Sequence, residues 1–297
     1  MGYLSVSFGL GTLDAERAEL ACFDLGALSV TFSDLRDDAV LEPAVGEVRL
    51  WPATRLQALF TDDADRALIA RQLAATLPIG ATQLQLETIA DRAWEREWLR
   101  DFHAMRFGRR LWICPHHEAV VEADAVIVKL DPGLAFGTGT HASTALCLQW
   151  LDENLQPEQS VIDYGCGSGI LAIAAARLGA GRVQAFDTDP QALLATHDNG
   201  ERNGLAGTIG IVADVADLAP PADVVLANIL AGTLIELAAA LSLLVKPHGR
   251  MVLAGILAEQ APAVAQAFAA CFDMRAVLRR DDWVLLAGTR RQQTQAT

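Results

Sequence analysis

The sequence lacks any long apolar run. Every hydrophobic stretch is interrupted well before the roughly 18 residues that a membrane-spanning helix needs. The first residues, MGYLSVSFGLGTLDAER, also lack the basic segment and cleavage pattern of a secretory signal. With 52% hydrophobic and 20% charged residues, the chain nevertheless has enough apolar material for a sizeable core. These features predict a globular, cytoplasmic protein without a membrane partner.

Paired cysteines are also missing. The five cysteines are odd in number, widely scattered and never in C-x-x-C spacing: Cys22, Cys114, Cys147, Cys166 and Cys271. Disulfide frameworks and zinc sites both require such paired spacings, so we expect free thiols and no metal. His116 and His117 lie near a cysteine, but no fourth ligand is spaced to complete a metal site, which favours a surface loop.

Positive charge is scarce. The chain has 23 Lys and Arg against 37 Asp and Glu, a formal net charge of −14. Proteins that dock on bare nucleic acid normally present a basic face to the phosphates, so direct binding to nucleic acid is not expected. A basic protein partner is easier to accommodate. The acidity has an alternative explanation in solubility alone.

The N-terminal part predicts a small α+β domain over residues 1–90. Its pattern is strand 3–8, helix 13–26, strand 28–33, one or two strands in 47–60, helix 63–76 and strand 82–89. Segments such as YLSVSF alternate apolar and polar residues, as half-buried strands do. The order β-α-β-β-α-β predicts a ferredoxin-like, split βαβ sandwich. This part has no glycine-rich loop or nucleophile constellation, so we expect recognition there rather than chemistry; a structural appendage is the alternative.

A helical linker is predicted over residues 91–104, because Trp94, Trp98 and Phe102 recur on one helical face. Residues 105–291 then alternate strands and helices, and residues 292–297 form a polar tail. Strands are predicted at 161–165, 183–187, 208–213, 223–228, 250–255, 274–279 and 283–288, with helices at 142–151, 169–178, 190–203, 232–244 and 258–271. This pattern predicts a doubly wound α/β sheet with an antiparallel edge and a ligand crevice at the carboxyl ends of its parallel strands.

The most informative segment is VIDYGCGSG at residues 161–169. Its glycines let a strand turn sharply into a helix and approach a ligand closely, with Ser168 as a candidate N-cap. Asp187 follows Gly165 by 22 residues, near the spacing expected for a carboxylate that binds ribose hydroxyls. The pattern is G-x-G-x-G rather than G-x-G-x-x-G, which argues against NAD. Asp163 further favours a ligand with a positive amine or sulfonium, as in S-adenosylmethionine; a turn without a ligand is the alternative.

Two further segments are predicted to face that ligand. The loop at residues 130–144 is dense in Gly and Thr, and one of its hydroxyls is expected to face the cofactor; plain helix capping by Ser143 or Thr144 is the alternative. Strand 223–228 ends at Asn228, where the reactive end of the ligand is expected. Its carbonyl can accept a hydrogen bond from a neutral amine and aim the amine lone pair at the methyl carbon. A strand-end turn would explain the asparagine equally well.

Several motifs, together and in order, resemble the ribosomal protein L-eleven methyltransferase family, PrmA. They are DPGLAFGTGTHAST (131–144), VIDYGCGSGILAIAA (161–175), FDTDP (186–190), DNGERNG (198–204) and ANILAG (227–232), with a similar linker at 94–115. The resemblance is specific over most of residues 91–260. Ala142-Ser143 replaces an expected Pro-Thr, which leaves the hydroxyl of Thr144 in place.

The resemblance implies a seven-stranded, S-adenosylmethionine-dependent methyltransferase fold whose N-terminal domain captures its substrate. That substrate is a stalk-base protein of the large subunit, free of ribosomal RNA, methylated on lysine side chains and the N-terminal amine. Asn228 would be catalytic and, by the same resemblance, the cofactor contacts would be Phe136, Thr138, Thr144, Gly165, Gly167, Asp187 and Asn228. Alternatives are a methyltransferase for another protein or small-molecule amine, a non-catalytic S-adenosylmethionine-binding regulator and, least favoured, a nicotinamide dehydrogenase. His141 and Cys166 are further candidates, explained as well by helix entry and loop packing.

Overall fold

The structure is a computed structural model that describes residues 2–36, 50–89, 103–131, 139–219 and 221–292. The chain divides into two compact units, residues 1–94 and 95–297. The predicted linker helix at 91–104 and the polar tail lie almost entirely outside the described residues. No helix within the described segments is long and apolar enough to cross a membrane.

The N-terminal unit is a four-stranded antiparallel sheet with two helices. Its elements are β1 (Tyr3–Gly9), α1 (Ala15–Asp24), β2 (Ser29–Asp34), β3 (Thr54–Thr61), α2 (Arg66–Thr76) and β4 (Gln85–Ile89), a 3₁₀ turn at Ala81–Gln83 preceding the last strand. The strand order is β2-β3-β1-β4. The predicted β-α-β-β-α-β order and split βαβ sandwich are therefore present.

Alternation of side chains explains how this sheet meets its helices. Leu4, Val6 and Phe8 of β1 are buried and face the same core as Ile69 and Leu73 of α2. In a strand, successive side chains point to opposite faces. The intervening Ser5 and Ser7 of β1 therefore lie on the other face of the sheet. Both helices begin at an aspartate that accepts a backbone N–H.

The C-terminal unit contains two sheets. A small sheet is formed by β5 (Met105–Phe107), β6 (Leu111–Cys114) and β7 (Val126–Lys129), and the sequence did not predict it. The large sheet contains β8 (Ser160–Tyr164), β9 (Arg182–Phe186), β10 (Ile209–Val212), β11 (Ala222–Asn228), β12 (Val245–Leu257), β13 (Arg275–Arg280) and β14 (Trp283–Thr289). The helices are α3 (Ala142–Asn154), α4 (Ile170–Arg177), α5 (Pro190–Arg202), α6 (Ala231–Glu236), α7 (Ala238–Leu243) and α8 (Ala261–Ala267).

The large sheet has the order β10-β9-β8-β11-β12-β14-β13. Strands β10, β9, β8, β11 and β12 are parallel, and β14 pairs antiparallel with β12 on one side and with β13 on the other. The seven-stranded, doubly wound sheet with an antiparallel edge is thus confirmed. The strand order reverses at β8, with β9 on one side and β11 on the other. Because these three strands are parallel, the loops that follow them meet at one edge of the sheet.

Three predicted boundaries were wrong. The single helix expected at 232–244 is two helices, because the chain interrupts the α-helix at Leu237, where ψ is 3°. Strand β12 begins earlier than expected, at Val245, because its first residue pairs with Ala222. Helix α8 is shorter than predicted and starts only at Ala261, with Pro262 in its first turn.

Asp223 ties three strands together at the edge of the sheet opposite the loops. It accepts hydrogen bonds from the Ser160 backbone N–H (2.8 Å), the Ser160 hydroxyl (2.6 Å) and the Lys246 ammonium (2.9 Å). Burial raises the pKa of its carboxyl, but these hydrogen bonds outweigh burial and lower the pKa to about 2. The native state therefore favours the ionised form.

We expect Asp223→Asn to lower the free energy of unfolding at pH 7 by about 1–2 kcal/mol, since charge-assisted hydrogen bonds are lost from a partly exposed group. A lowered pKa stabilises the fold above the ordinary carboxyl pKa and stops doing so as the pH falls through about 2. In urea denaturation, the difference in free energy of unfolding between wild type and Asp223→Asn should therefore be constant above about pH 5 and should narrow below about pH 4. A difference that grows on acidification would contradict this role.

Candidate active site

The loop after β8 turns the chain sharply into α4. Gly165, Gly167 and Gly169 have positive φ angles of 79°, 53° and 77°, a region that side-chain-bearing residues rarely adopt. The N-cap of α4 is Gly169, not Ser168 as predicted, and it makes no side-chain capping bond. The left-handed conformation at the cap favours glycine there, and Ser168 instead lies buried one position earlier, where its carbonyl accepts a hydrogen bond from Asn199.

Asp187 follows β9 and faces the glycine loop. One carboxylate oxygen accepts the Gly167 backbone N–H (3.0 Å), and the other accepts the Asp189 N–H (3.0 Å). These two bonds fix the orientation of the carboxylate, while each oxygen keeps a further lone pair for a ligand. The structure therefore brings together Gly165, Gly167 and Asp187, as the spacing predicted.

These residues line a cavity of about 610 Å³, within the usual size range of small-molecule sites. Four of the seven predicted cofactor contacts lie on its wall: Gly165, Gly167, Asp187 and Asn228. The remaining lining residues are His141, Ser143, Tyr164, Phe186, Thr188, Ile229, Leu230, Thr233, Leu237, Gly255 and Trp283. Most of this second group is apolar or aromatic, which is typical of sites that exclude water from a ligand.

Asn228, the last residue of β11, lines the cavity, and its side chain carries an acceptor without a partner among the described residues. Its Nδ2 donates to the Thr144 hydroxyl (3.2 Å). Its Oδ1 is buried and accepts no hydrogen bond from any described residue. A buried acceptor without a donor costs about 1–3 kcal/mol, so the protein bears a cost that a bound N–H group would relieve. The arrangement suits a ligand that donates a hydrogen bond to this oxygen.

Thr144 lies behind Asn228. Its side chain is fully buried. The neighbouring Ser143 lines the cavity, and Thr144 is not among the described lining residues. The Thr144 hydroxyl holds the Asn228 amide, so Thr144 acts on the cavity through that amide. Phe136 and Thr138, the other predicted contacts, lie outside the described residues.

His141, rather than Ser143 or Thr144, caps helix α3. Its Nδ1 accepts the Ser143 N–H (3.3 Å) and lies 2.7 Å from the Ser143 hydroxyl. Burial lowers the pKa of this imidazole. The edge of the ring meets Trp283 with centroids 4.6 Å apart. Nδ1 is therefore engaged and does not act as a proton acceptor for a ligand.

Asp163 lies below the glycine loop rather than on the cavity wall. Its side chain is fully buried, Oδ2 accepts the Ala172 N–H of α4 (3.0 Å), and Oδ1 has no partner among the described residues. Burial, with a smaller contribution from the charge of Asp187, outweighs the Ala172 hydrogen bond and raises the pKa of this carboxyl to about 7. Asp163 therefore contacts the first turn of α4 and is not among the described residues that line the cavity.

Asp163→Asn should therefore become more stable relative to wild type as the pH rises. Because the pKa is raised in the folded state, wild type loses stability between the ordinary carboxyl pKa and about 7. The variant does not titrate, so we expect its relative free energy of unfolding to rise by about 1–3 kcal/mol from pH 5 to pH 8. Urea denaturation at both pH values tests this, with exposed Asp198→Asn as control. A pH-independent difference would show that Asp163 is ionised throughout.

Known proteins match this sequence over nearly its whole length. A sequence model of the family described as "Ribosomal protein L11 methyltransferase (PrmA)" matches residues 2–291. The chain belongs to this family. The ribosomal protein L11 methyltransferase of Pseudomonas paraeruginosa is 48% identical over 292 residues, covering 98% of this chain and 99% of the relative. That of Actinobacillus pleuropneumoniae is 46% identical over 290 residues, covering 96% and 99%.

A solved structure supports the assignment of the fold. The ribosomal protein L11 methylase from Lactobacillus delbrueckii subsp. bulgaricus is 34% identical, with a TM-score of 0.60, and the match covers 64% of this chain and all of that one. The resemblance inferred from the motifs is thereby confirmed at the level of family. The residue roles remain predictions.

In this PrmA family member, several lining residues were missed because their signal is only apolar. Leu230, Thr233 and Leu237 have the spacing of an ordinary buried helix face. Tyr164 and Phe186 end neighbouring strands, and their rings are 4.7 Å apart. Trp283 follows the β13–β14 turn, more than fifty residues after Asn228 in sequence. These residues are recognised as cavity-lining only from their position at the sheet edge, which requires the folded structure.

Cys166 and His116, the weaker candidates from the sequence, have structural contacts in the fold. Burial raises the pKa of the Cys166 thiol to about 12, and its sulfur accepts the Thr196 hydroxyl (3.3 Å), so it is not a thiolate nucleophile. His116 pairs with Asp131 (3.0 Å). Within the described residues, no group of three or more His, Cys, Asp or Glu side chains is arranged to hold a metal ion.

Proposed function

We propose that this chain transfers methyl groups from S-adenosylmethionine to amino groups of ribosomal protein L11, on lysine side chains and at the N-terminus. Family membership supports the reaction class, and the names of the relatives indicate the substrate. The observation in the site that carries the proposal is the buried Asn228 carbonyl oxygen, which has no partner in the part of the chain that the structure describes and belongs to a residue that lines the cavity.

The residues present fit the cofactor. A Cβ at Gly165 would come within 2.4 Å of Ile229, so the close-packed loop there tolerates only glycine. Asp187 is held by two backbone N–H groups and keeps lone pairs for ribose hydroxyls. Gly165 and Gly167 would accept the methionine part against their backbone, and Tyr164 and Phe186 supply apolar walls. When bound, S-adenosylmethionine supplies an electrophilic methyl group on a sulfonium.

The amine must be neutral before it can attack. Its reference pKa is about 10.4, and the apolar walls around Leu230, Leu237 and Trp283 disfavour the charged form by desolvation. The Nδ1 of His141 accepts the Ser143 N–H, so we assign this nitrogen no role as a base. The Asn228 carbonyl accepts one N–H of the neutral amine and directs its lone pair along the line of displacement.

The finer assignments complete this proposal. The N-terminal unit, taken as residues 1–90, would capture the ribosomal protein while it is free of ribosomal RNA, and the unit at 105–291 would perform the transfer. A formal net charge of −14 favours a basic protein partner over nucleic acid. We place the reaction in the cytoplasm, where the ribosomal protein is made.

The test is incubation of the purified protein with methyl-labelled S-adenosylmethionine and unmethylated ribosomal protein L11, read by intact-mass spectrometry. We expect mass gains in steps of one methyl on the ribosomal protein, and peptide mapping should place them on lysines and the N-terminus. Cofactor binding without any mass gain would favour another amine substrate or a non-catalytic regulator. Absence of cofactor binding would overturn the proposal.

A further inference from the structure

Ile229, the residue after Asn228, is packed between two glycines. On one side, an ideal Cβ on Gly165 would lie 2.4 Å from the Cγ2 of Ile229. On the other side, an ideal Cβ on Gly255 would lie 2.4 Å from the Ile229 carbonyl oxygen, 2.9 Å from its carbonyl carbon and 3.2 Å from its backbone nitrogen. Ile229 is therefore packed between β8 and β12 at distances that no real Cβ could occupy.

Gly255 occupies an irregular part of β12. Its φ is 78°, and the pairing of β12 with β14 changes register between Leu253 and Ile256. Such bulges bend a strand and redirect its backbone, and they occur preferentially beside functional sites. The parallel pairing with β11 ends at Asn228 opposite Ala254, one residue before this glycine. The bulge thus lies directly beside the segment that carries Asn228.

We propose that Gly255 is a positioning residue: by lacking a Cβ, it lets the Ile229 main chain settle against β12 and thereby fixes where the Asn228 carboxamide stands. This inference rests on the proposed function, since it gives Asn228 its place relative to the amine. The virtual Cβ of Gly255 is aimed at Ile229 main-chain atoms, so an added methyl moves backbone.

The expected consequence is a defect in turnover. Restoring an ordinary contact of about 3.4 Å from 2.4 Å requires a shift of about 1 Å in the Ile229 segment, and a misplacement of that size can cost about 10²-fold in rate. The ribose carboxylate Asp187 follows β9 and is held by the backbone N–H groups of Gly167 and Asp189. Its contribution to cofactor affinity should therefore persist, and cofactor binding should change less than kcat.

The experiment compares Gly255→Ala with Gly204→Ala. Gly204 also has a positive φ, 68°, but an added Cβ there meets nothing within 4 Å, so it reproduces the backbone strain without the displacement. We expect Gly255→Ala to lower kcat for the ribosomal protein by about 10²-fold, with a dissociation constant for S-adenosylmethionine within about threefold of wild type by calorimetry. Gly204→Ala should keep both values near wild type.

A second comparison asks whether Gly255 acts through Asn228. In a double-mutant cycle, Gly255→Ala should lower kcat by a much smaller factor in the Asn228→Ala background than in wild type. If Gly255→Ala is unstable at the assay temperature, the cycle is run in trimethylamine N-oxide, which favours the folded state. Equal fold-losses of kcat in both backgrounds would overturn the inference, as would a folded Gly255→Ala with the kcat of Gly204→Ala or with lost cofactor binding. If wild type transfers no methyl group, the proposed function fails first, which the parallel wild-type assay detects.

Discussion

Asn228→Ala is expected to lower kcat by about 10²-fold while leaving the dissociation constant for S-adenosylmethionine within about threefold of wild type. The alanine removes the oxygen that accepts a hydrogen bond from the amine, and this oxygen has no partner among the described residues. It also removes the hydrogen bond to Thr144 (3.2 Å). Single-turnover methylation of the ribosomal protein and calorimetric titration of the cofactor separate the two quantities.

Two further variants sharpen this test. Thr144→Val keeps the Asn228 carbonyl but removes the hydroxyl that orients its amide, so its kcat should fall less than that of Asn228→Ala. Asn154→Ala serves as control because the Asn154 side chain donates to the Trp150 carbonyl (3.0 Å) at the far end of α3, away from the cavity-lining residues. Unchanged turnover in Asn228→Ala would remove Asn228 from the mechanism, and a cofactor affinity that falls with kcat would make it a cofactor contact only.

Asp187→Ala is expected to weaken S-adenosylmethionine binding by about 10²-fold or more. Hydrogen bonds to a charged group contribute about 1.5–3 kcal/mol each, and a carboxylate with two ribose hydroxyls would lose two of them. The substitution also frees the Gly167 and Asp189 N–H groups that Asp187 now holds. Calorimetry or fluorescence titration with the cofactor measures the dissociation constant directly.

Asp198→Ala is the matched control for Asp187. It removes a carboxylate from the neighbouring helix α5, where Asp198 is half exposed and pairs with His197 (3.2 Å). Its cofactor affinity should stay near wild type. Asp187→Asn should fall between the two variants, since an amide keeps one acceptor oxygen. Equal affinities for wild type and Asp187→Ala would mean that the ribose is not bound here.

Much of the site could be predicted because its signals are local in sequence. Gly165, Gly167 and Gly169 announce a strand-to-helix turn by composition, and the 22-residue spacing to Asp187 reflects one crossover between neighbouring strands. The cap of α4 was mispredicted for a related reason. A serine is a good N-cap in general, but only the φ of 77° at Gly169 shows which residue the turn places at that position.

The sequence by itself determined the two-part organisation, the seven-stranded sheet and four residues of the cavity wall, because periodicity, glycine spacing and strand ends depend on neighbours along the chain. The tertiary structure alone decided that Trp283 and His141 meet at that wall, that Thr144 acts through Asn228, and that Gly255 packs on Ile229. These contacts join strands and loops far apart in sequence. Their geometry follows from sheet register and close packing, which no local pattern encodes.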